Sequence, residues 1–389
     1  MRLIKVKEGT TILLVPDFSE YFRKGSYDPS RATVFYNPKM EFSRDIGVMV
    51  LREIAKNRGN LLICDPLAGM GARGIRYTKE VGGISKCIIN DINKSAIPII
   101  MENIKINNLE NIVEVECKDA NLLLIEHSKR GERFDFIDLD PFGSPVNFFD
   151  ASIRALKNGG ILAFTATDTA PLCGVYQKAC FRKYGAISIK TEFCHEVGLR
   201  ILLGSFVQAS IKHDFGVEVL LSYSVDHYFR AYVRLDLGAR KADASASLLG
   251  YILYCEKCGW RTSTHLNERM INDCPSCLLE VKRVGPLWLG KIANREFLIS
   301  INNQNISELN TYRRIKKLMD LLIEECEMPI TYFSVDRICS RLKISPPPIS
   351  SIIEKLRGMG YRASRTHFNS KGFKTEAPME MIVDIILRR

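Results

Sequence analysis

The sequence has no long hydrophobic run, no internal repeat and no low-complexity tract. Its longest apolar stretches, such as GGILAFTATD, are much shorter than the roughly 20 residues that a transmembrane helix needs. The segment MRLIKVKEGTTILLVPD is interrupted by Glu8 and Asp17, and no small-residue cleavage site follows it, which argues against a secretory signal. We interpret this segment as a pair of strands and expect a cytoplasmic protein.

The composition of the 389 residues indicates a folded protein of more than one domain. Hydrophobic residues make up 46% and charged residues 25%, which is close to the globular average. The 55 basic residues outnumber the 44 acidic ones, and the net charge of +11 suits a polyanionic partner. Eight of the 12 cysteines are scattered singly, a pattern typical of buried thiols in a reducing compartment.

Short apolar runs alternate with amphipathic segments from about Leu61 to Leu237, which predicts an α/β fold with a Rossmann-like, mostly parallel sheet. The last stretch, VEVLLSYSVDHYFRAYVRLD, breaks near Asp226 and predicts an antiparallel hairpin at the sheet edge. We expect three domains. They are an α/β domain with an N-terminal extension over residues 1–240, a cysteine-rich insertion over 250–285 and a C-terminal domain over 286–389.

The loop DPLAGMGARG contains the pattern G-x-G-x-x-G at Gly69, Gly71 and Gly74. In dinucleotide-binding folds the first glycine follows the strand directly, whereas here the four residues DPLA intervene and the strand ends in Asp65. A carboxylate at that strand end would repel a pyrophosphate but would pair with a cation. S-adenosylmethionine carries an ammonium and a sulfonium and no phosphate, so we predict that this loop binds S-adenosylmethionine.

Two further aspartates follow the next predicted strands. Asp91, after CIIN, is placed to accept hydrogen bonds from the two ribose hydroxyls, and Asp119, after VECK, from the adenine amino group. Taken singly, a strand-end aspartate more often caps a helix. Three successive strands that each end in aspartate, together with the glycine loop, favour a binding site for the methyl donor.

The stretch FIDLDPFGSP predicts the reaction. Asp140, Pro141 and Phe142 follow the fourth strand and are similar to the D/N-P-P-Y/F signature of methyltransferases that act on exocyclic amino nitrogens. The lone pair of such a nitrogen is delocalised into the ring, and a carboxylate that accepts its N–H directs the lone pair at the sulfonium and can take up the proton. Phe142 would stack on a flipped-out base. Strand alternation gives Asp138 a secondary role.

Taken together, VFYNPKMEFSRD, DPLAGMGARGIRY, FIDLDPFGSP, TATDTAPLCG, CHEVGLRILL and DHYFRAYVRL resemble the tRNA (guanine-N2-)-dimethyltransferase family over nearly the whole chain. The resemblance implies a class I methyltransferase domain over residues 1–240. It also implies transfer of two methyl groups from S-adenosylmethionine to N2 of guanosine 26, at the junction of the D and anticodon stems of tRNA.

The resemblance further implies roles for individual residues. Phe35 and Phe142 would sandwich the guanine, and Asp140 would engage its N2. Arg44 would line the cofactor cleft. The complete set of predicted cofactor-binding residues is Arg44, Asp65, Gly69, Gly71, Arg73, Asp91, Asp119 and Ala120.

The segment VDRICSRLKISPPPISSIIEKLRGMGYRASRTHF indicates a helix, a turn, a second helix and a strand, followed by a basic loop. This is a winged-helix pattern, although an ordinary helical hairpin would share it. Ser345 can cap the second helix, with the prolines in its first turn. The basic residues favour tRNA binding over residues 286–389, and the predicted contacts are Arg362, Arg365, Lys371 and Lys374.

The segment CEKCGWRTSTHLNERMINDCPSC contains two C-x-x-C pairs, at a spacing typical of a zinc ribbon. Four thiolate ligands leave no open position, so the predicted zinc is structural, with disulfides as the alternative. The predicted ligands are Cys255, Cys258, Cys274 and Cys277. The commonest archaeal pattern of the family lacks this cluster. His195 and Glu196 resemble an acid–base pair, and we favour a structural or cofactor-supporting role for them.

Two alternative functions fit parts of this pattern. One keeps the methyl donor and the amine chemistry but changes the acceptor to adenine N6 of DNA or RNA. The other is a non-catalytic nucleic-acid-binding protein, with a zinc ribbon, a winged helix and a vestigial methyltransferase domain. The sequence indicates neither a membrane nor an obligatory protein partner.

Overall fold

The computed structural model describes residues 2–17, 19 and 32–387, and the backbone of residues 22–23 and 26–27. The chain divides into two compact units. The first comprises Met1–Pro141, Phe148–Phe164 and Ile299–Lys317, and the second comprises Phe142–Asn147, Thr165–Leu298 and Leu318–Arg389. The domain boundaries expected from the sequence differ from these ranges and stay a prediction. Among the described residues, no helix combines the length and the apolar character needed to cross a membrane.

The first unit begins with two short antiparallel pairs. Strands β1 (Leu3–Glu8) and β2 (Thr11–Pro16) pair antiparallel, as do β3 (Phe22–Arg23) and β4 (Ser26–Tyr27). The interpretation of the N-terminal segment as a strand pair is confirmed.

Helices and strands then alternate through the rest of the first unit. The elements are α1 (Glu41–Asn57), β5 (Leu61–Asp65), α2 (Ala72–Glu80), β6 (Ile84–Asn90), α3 (Ile97–Ile106), β7 (Val113–Glu116), α4 (Ala120–Glu126), β8 (Phe134–Leu139), α5 (Phe149–Ala155) and β9 (Leu156–Ala166). The five strands lie in the order β7-β6-β5-β8-β9 and are all parallel. Their mostly buried, Ile- and Leu-rich sequences are typical of parallel strands covered on both faces.

The strand order reverses between β5 and β8. From β5 the chain adds β6 and β7 on one side, and it then returns to β8 on the other, where Ile63 lies opposite Phe136 and Cys64 opposite Ile137. The carboxyl ends of β5 and β8 are therefore neighbours. In open α/β sheets, ligands bind in the crevice at such a reversal.

The second unit contains the predicted hairpin. Its first elements are α6 (Thr169–Leu172), α7 (Gln177–Tyr184), α8 (Cys194–Ile211), β10 (Phe215–Val225), β11 (Tyr228–Leu237), α9 (Ala239–Ser247), β12 (Leu249–Tyr254), β13 (Arg261–His265) and β14 (Lys282–Trp288). Strands β10 and β11 are antiparallel, and Val225 and Tyr228 flank a turn at Asp226. Strands β13, β12 and β14 form a separate antiparallel sheet.

The C-terminal part of the chain has the order of elements of a winged helix. The elements are α10 (Arg295–Asn302), α11 (Tyr312–Glu325), β15 (Phe333–Ser334), α12 (Val335–Leu342), α13 (Ile349–Gly358), β16 (Ala363–Arg365), β17 (Gly372–Thr375) and α14 (Met379–Leu387). Strand β17 lies between β15 and β16. The expected cap is wrong, because α13 begins at Ile349 with Pro348 at its cap position, so that Ser345 precedes the helix by several residues.

Candidate functional site

The glycine loop connects β5 to α2. Gly69 and Gly71 have φ angles of +57° and +84°, which side-chain-bearing residues rarely adopt. A Cβ atom on Gly69 would also lie only 2.9 Å from the carbonyl oxygen of Phe35. The backbone conformation and the close approach of the Phe35 segment therefore both require glycine at this position.

Asp65 lies at the end of β5 and is 1% exposed. Its Oδ2 accepts a hydrogen bond of 2.9 Å from the backbone N–H of Gly74, at the start of α2. Its Oδ1 is buried and has no hydrogen-bond donor within the described part of the chain. Burial, reinforced by the neighbouring Asp138, raises the pKa of Asp65 to about 8.

The other two strand-end aspartates hold local structure. Asp91 accepts from the backbone N–H of Gly69 at 2.7 Å and of Asn93 at 2.8 Å, which ties the glycine loop to the end of β6. Asp119 caps α4, which begins at Ala120, by accepting from two backbone N–H groups of its first turn. The predicted contacts of Asp91, Asp119 and Ala120 with the cofactor stay predictions.

Asp140 forms an ion pair with Arg73, a residue that the sequence assigned to the cofactor site. Nε and Nη2 of Arg73 donate to Oδ2 of Asp140 at 2.9 and 2.6 Å. Arg73 is 5% exposed, and its Nη1 lies 3.9 Å from Oδ2 of Asp138. One guanidinium from α2 therefore fixes the orientation of the Asp140 carboxylate.

Tyr77, which was not predicted from the sequence, supports the same cluster. Its hydroxyl donates to Oδ2 of the fully buried Asp138 at 2.5 Å. Arg73 and Tyr77 are four residues apart and so lie on one face of α2. This four-residue spacing directly after the glycine loop is the sequence signal that could have identified Tyr77. The hydrogen bond from Tyr77 to Asp138 also gives Asp138 a role in holding α2 against β8.

Arg44 lies in α1 and is 4% exposed. Its guanidinium donates to both carboxylate oxygens of Glu8 and to the backbone oxygen of Asn37. The Tyr36 hydroxyl donates to the same carboxylate. These bonds anchor the segment that contains Phe35. The structure thus gives Arg44 a structural pairing, and its contact with the cofactor stays a prediction.

The loop that carries Phe142 belongs to the second unit, and the Phe142 side chain is 72% exposed. Gly143 is joined to Thr167 by two hydrogen bonds, one from its N–H to Oγ1 and one from the Thr167 N–H to its carbonyl. At the end of α7, the Tyr184 hydroxyl donates to Asp168 at 2.5 Å. The motifs DPFGSP and TATDTAP are therefore fastened to the end of α7.

The four clustered cysteines bring their sulfur atoms within 4.8 Å of one another. The sulfurs of Cys255 and Cys277 are 3.5 Å apart, as are those of Cys258 and Cys274, and Cys277 lies 3.8 Å from Cys258. A tetrahedral zinc with Zn–S bonds of about 2.3 Å requires sulfur separations of about 3.8 Å. All 12 cysteines are free thiols, so the disulfide alternative is not the arrangement in the structure.

A model of the N2,N2-dimethylguanosine tRNA methyltransferase family matches residues 9–387. The chain belongs to this family. It is 38% identical to the tRNA (guanine(26)-N(2))-dimethyltransferase of Methanosphaera stadtmanae, covering 98% of this chain and 96% of the relative. It is also 38% identical to the Pyrococcus furiosus enzyme of that name, covering 99% of both chains.

A solved structure of Trm1 from Pyrococcus horikoshii with S-adenosyl-L-methionine matches with a TM-score of 0.87 and 36% identity. The match covers 99% of this chain and 100% of that one. The predicted fold class, a Rossmann-like methyltransferase fold with an antiparallel hairpin, is thereby confirmed for this member of the dimethylguanosine methyltransferase family.

The four predicted tRNA contacts do not share one environment. Arg362 and Lys371 are exposed and form ion pairs with Glu376 and Asp336, and Arg365 is exposed. Lys374 is the exception and corrects the prediction. It lies in the central strand β17, is 1% exposed, and is 2.8 Å from a carboxylate oxygen of the buried Glu196.

The sequence placed Lys374 in a loop, where it would be solvated. In β17 the Nζ atom of Lys374 is instead buried. It donates to Glu196 of α8 and to the backbone carbonyl of Pro329. Arg200 donates to the same glutamate at 3.0 Å. Glu196 therefore has a structural role, which is one of the two roles that we favoured for it, and Lys374 is not available to a tRNA phosphate.

Proposed function

We propose that this protein is an S-adenosylmethionine-dependent tRNA methyltransferase that converts guanosine 26 to N2,N2-dimethylguanosine by adding two methyl groups to N2. The observation that carries the proposal is the Asp140 carboxylate, held by Arg73 at the carboxyl end of β8. The family membership and the names of the relatives support the substrate, and the match to Trm1 with S-adenosyl-L-methionine supports the methyl donor.

The residues around Asp65 fit S-adenosylmethionine. Oδ1 of Asp65 is a buried acceptor that lacks a donor in the described chain, and the ammonium of the methionine moiety is a donor of the right charge. Asp91 holds the glycine loop and offers carboxylate oxygens at the end of the next strand. When bound, the cofactor supplies an electrophilic methyl group on its sulfonium.

Asp140 accepts the N2–H of guanine in this proposal. Its carboxylate keeps the amino group oriented and takes up the proton as the new N–C bond forms. Arg73 contributes by fixing the carboxylate, since a general base acts only from a defined hydrogen-bonding position. For the second transfer the monomethylated nitrogen presents its remaining N–H to the same carboxylate.

The predicted stacking of guanine on Phe35 and Phe142 belongs to the same proposal. The 72% exposure of Phe142 supports it, because aromatic side chains that reach the surface are the ones on which unpaired bases stack. The loop behind Phe142 is fastened by the two hydrogen bonds between Gly143 and Thr167, so the ring projects from a supported backbone.

For the cysteine cluster we propose a structural Zn²⁺ held by Cys255, Cys258, Cys274 and Cys277. The sulfur separations of 3.5 to 3.8 Å and the closed set of four thiols support this assignment. The expected cytoplasmic location belongs to the same proposal, since the scattered cysteines are free thiols.

Mass spectrometry of nucleosides tests the function. Unmodified tRNA and a variant with guanosine 26 replaced by adenosine are incubated with the protein and S-adenosylmethionine, and the products are digested. We expect N2,N2-dimethylguanosine only from the tRNA that has guanosine 26. Formation of N6-methyladenosine would instead favour the adenine alternative. Full activity of the Asp140→Ala variant would contradict the proposed role of that carboxylate.

A further inference from the structure

A segment of the second unit that the proposed reaction does not use is strongly basic. Residues 173–191 contain no aspartate or glutamate, and their basic residues are Lys178, Arg182, Lys183 and Lys190. Lys178 and Arg182 lie one turn apart on α7 and are both exposed. Such a concentration of one sign of charge attracts a polyanion.

The same segment exposes large apolar side chains. Tyr176 and Phe181 are each 62% exposed, and Val175 is 55% exposed. Aromatic rings interleaved with basic side chains are the composition of surfaces that bind unpaired nucleotides, because bases stack on the rings while the cations meet the phosphates.

Helix α7 borders a cleft of about 940 Å³ within the second unit. Gln177 and Phe181 line it on one side, and Tyr251, Lys282 and Arg283 of β12 and β14 line it on the other. The Arg283 guanidinium lies 5.5 Å from the centre of the Tyr251 ring, an arrangement that extends a stacking surface. Among the lining residues described, Glu280 is the one carboxylate.

The end of α7 is joined to the loop of Phe142. Asp168 accepts from the Tyr184 hydroxyl and from Nζ of Lys183 at 2.8 Å, while the adjacent Thr167 is joined to Gly143 of the Phe142 loop by two hydrogen bonds. Tyr184 is 2% exposed, so this junction is rigidly packed. The basic face of α7 therefore lies near any nucleic-acid strand that contacts Phe142.

We propose that the exposed face of α7 and this cleft bind the single-stranded or splayed nucleotides that flank the target base in the tRNA. Lys178 and Arg182 meet the phosphates, and Phe181 stacks on a base. This inference rests on the proposed function for the identity of the RNA. It adds a second contact surface to the basic residues of the C-terminal part.

The test uses the full chain with Lys178→Ala/Arg182→Ala, and separately Phe181→Ala. The matched control is Lys212→Ala/Arg240→Ala, which removes two exposed charges elsewhere in the same unit. Affinity for tRNA is measured between low and moderate salt, S-adenosylmethionine affinity reports the integrity of the first unit, and circular dichroism reports folding.

We expect the α7 charge variant to bind tRNA about tenfold more weakly, and its salt slope to fall by about 1.5, because two counterion-releasing contacts are lost. Phe181→Ala should weaken tRNA binding roughly fivefold or more with an unchanged salt slope. The control should keep the wild-type affinity and slope, and all variants should keep the affinity for S-adenosylmethionine.

A charge variant that binds tRNA like the control would overturn the inference while leaving the proposed function intact. Conversely, weakened binding by the α7 variants, in a wild-type protein that forms no N2,N2-dimethylguanosine, would support the RNA surface and contradict the proposed function. If α7 instead bound an acidic protein segment, both α7 variants would bind tRNA with wild-type affinity, and that result would overturn the proposal.

Discussion

The carboxylate cluster of the first unit and the cysteine cluster of the second differ in how they are assembled. The four thiols come from one short segment, and their separations fit a single metal ion that would satisfy all of them. The carboxylates of Asp65, Asp138 and Asp140 lie at the ends of two strands. Asp138 and Asp140 share the Arg73 guanidinium from α2, and Oδ1 of Asp65 has no donor in the described chain. A closed set of ligands suits a structural site, and an incomplete one suits a site that receives a ligand.

The largest effect should come from opening the closed cluster. Cys255→Ser together with Cys274→Ser should abolish zinc binding and unfold the ribbon, because structural zinc sites in small domains contribute on the order of 10 kcal/mol of folding free energy. Elemental analysis should find one zinc per wild-type chain and none in the variant. Cys117→Ser, at an exposed thiol outside the cluster, is the control and should retain the metal. An intact ribbon without zinc would remove the distinction between the two clusters.

The second effect concerns the reacting carboxylate. Asp140→Ala should lower the rate of methyl transfer roughly 10²-fold or more, since it removes the acceptor of the N2–H. Affinity for S-adenosylmethionine should change little, because the orphaned acceptor is on Asp65. Single-turnover kinetics with tRNA measure the rate, and calorimetry measures the affinity. Asp140→Asn, which keeps one acceptor oxygen, should lie between the alanine variant and the wild type. A large loss of cofactor affinity in Asp140→Ala would assign this carboxylate to binding.

The third effect is a pH dependence of cofactor binding. Because the pKa of Asp65 is raised to about 8, this carboxyl is protonated at lower pH and ionises as the pH rises through 8. The carboxylate pairs with the ligand's ammonium, which itself loses its proton near pH 8, so the advantage of wild type over Asp65→Asn should be small near pH 6.5 and several-fold larger near pH 8.

Equilibrium dialysis with labelled S-adenosylmethionine provides these affinities. Glu102→Gln, at an exposed carboxylate of α3, is the control and should show no change in the ratio with pH. A ratio that is independent of pH for Asp65→Asn as well would show that this carboxyl does not pair with the ammonium.

The smallest effect concerns the backbone of the glycine loop. Gly69→Ala should lower the free energy of unfolding of the first unit by about 1 to 2 kcal/mol, because φ is +57° and the new Cβ would crowd the Phe35 carbonyl. Gly82→Ala is the matched control, since a Cβ there meets nothing within 4 Å. Chemical denaturation of both variants measures the difference, and equal stabilities would show that the loop relaxes freely.

Much of the molecule could be predicted from local pattern. Apolar runs that alternate with helices predict the parallel sheet, because buried parallel strands are apolar on both faces. The hairpin around Asp226 and the cysteine pairs could also be predicted, because a turn and a set of metal ligands are properties of short segments. The winged-helix order of the C-terminal elements was also predicted, but the start of its second helix was not, because the prolines end at Pro348 and the cap lies there.

The side-chain partners depended on tertiary structure. In the sequence, Lys374 lies in a segment with the composition of a basic loop. Only the position of β17 between two strands buries this lysine beside Glu196. Arg73 was assigned to the cofactor, yet its partner is Asp140, 67 positions away in the chain. Local sequence determined the elements and the residue types at the strand ends, whereas the strand order decided which charges meet, because ion pairing depends on distance in space and not along the chain.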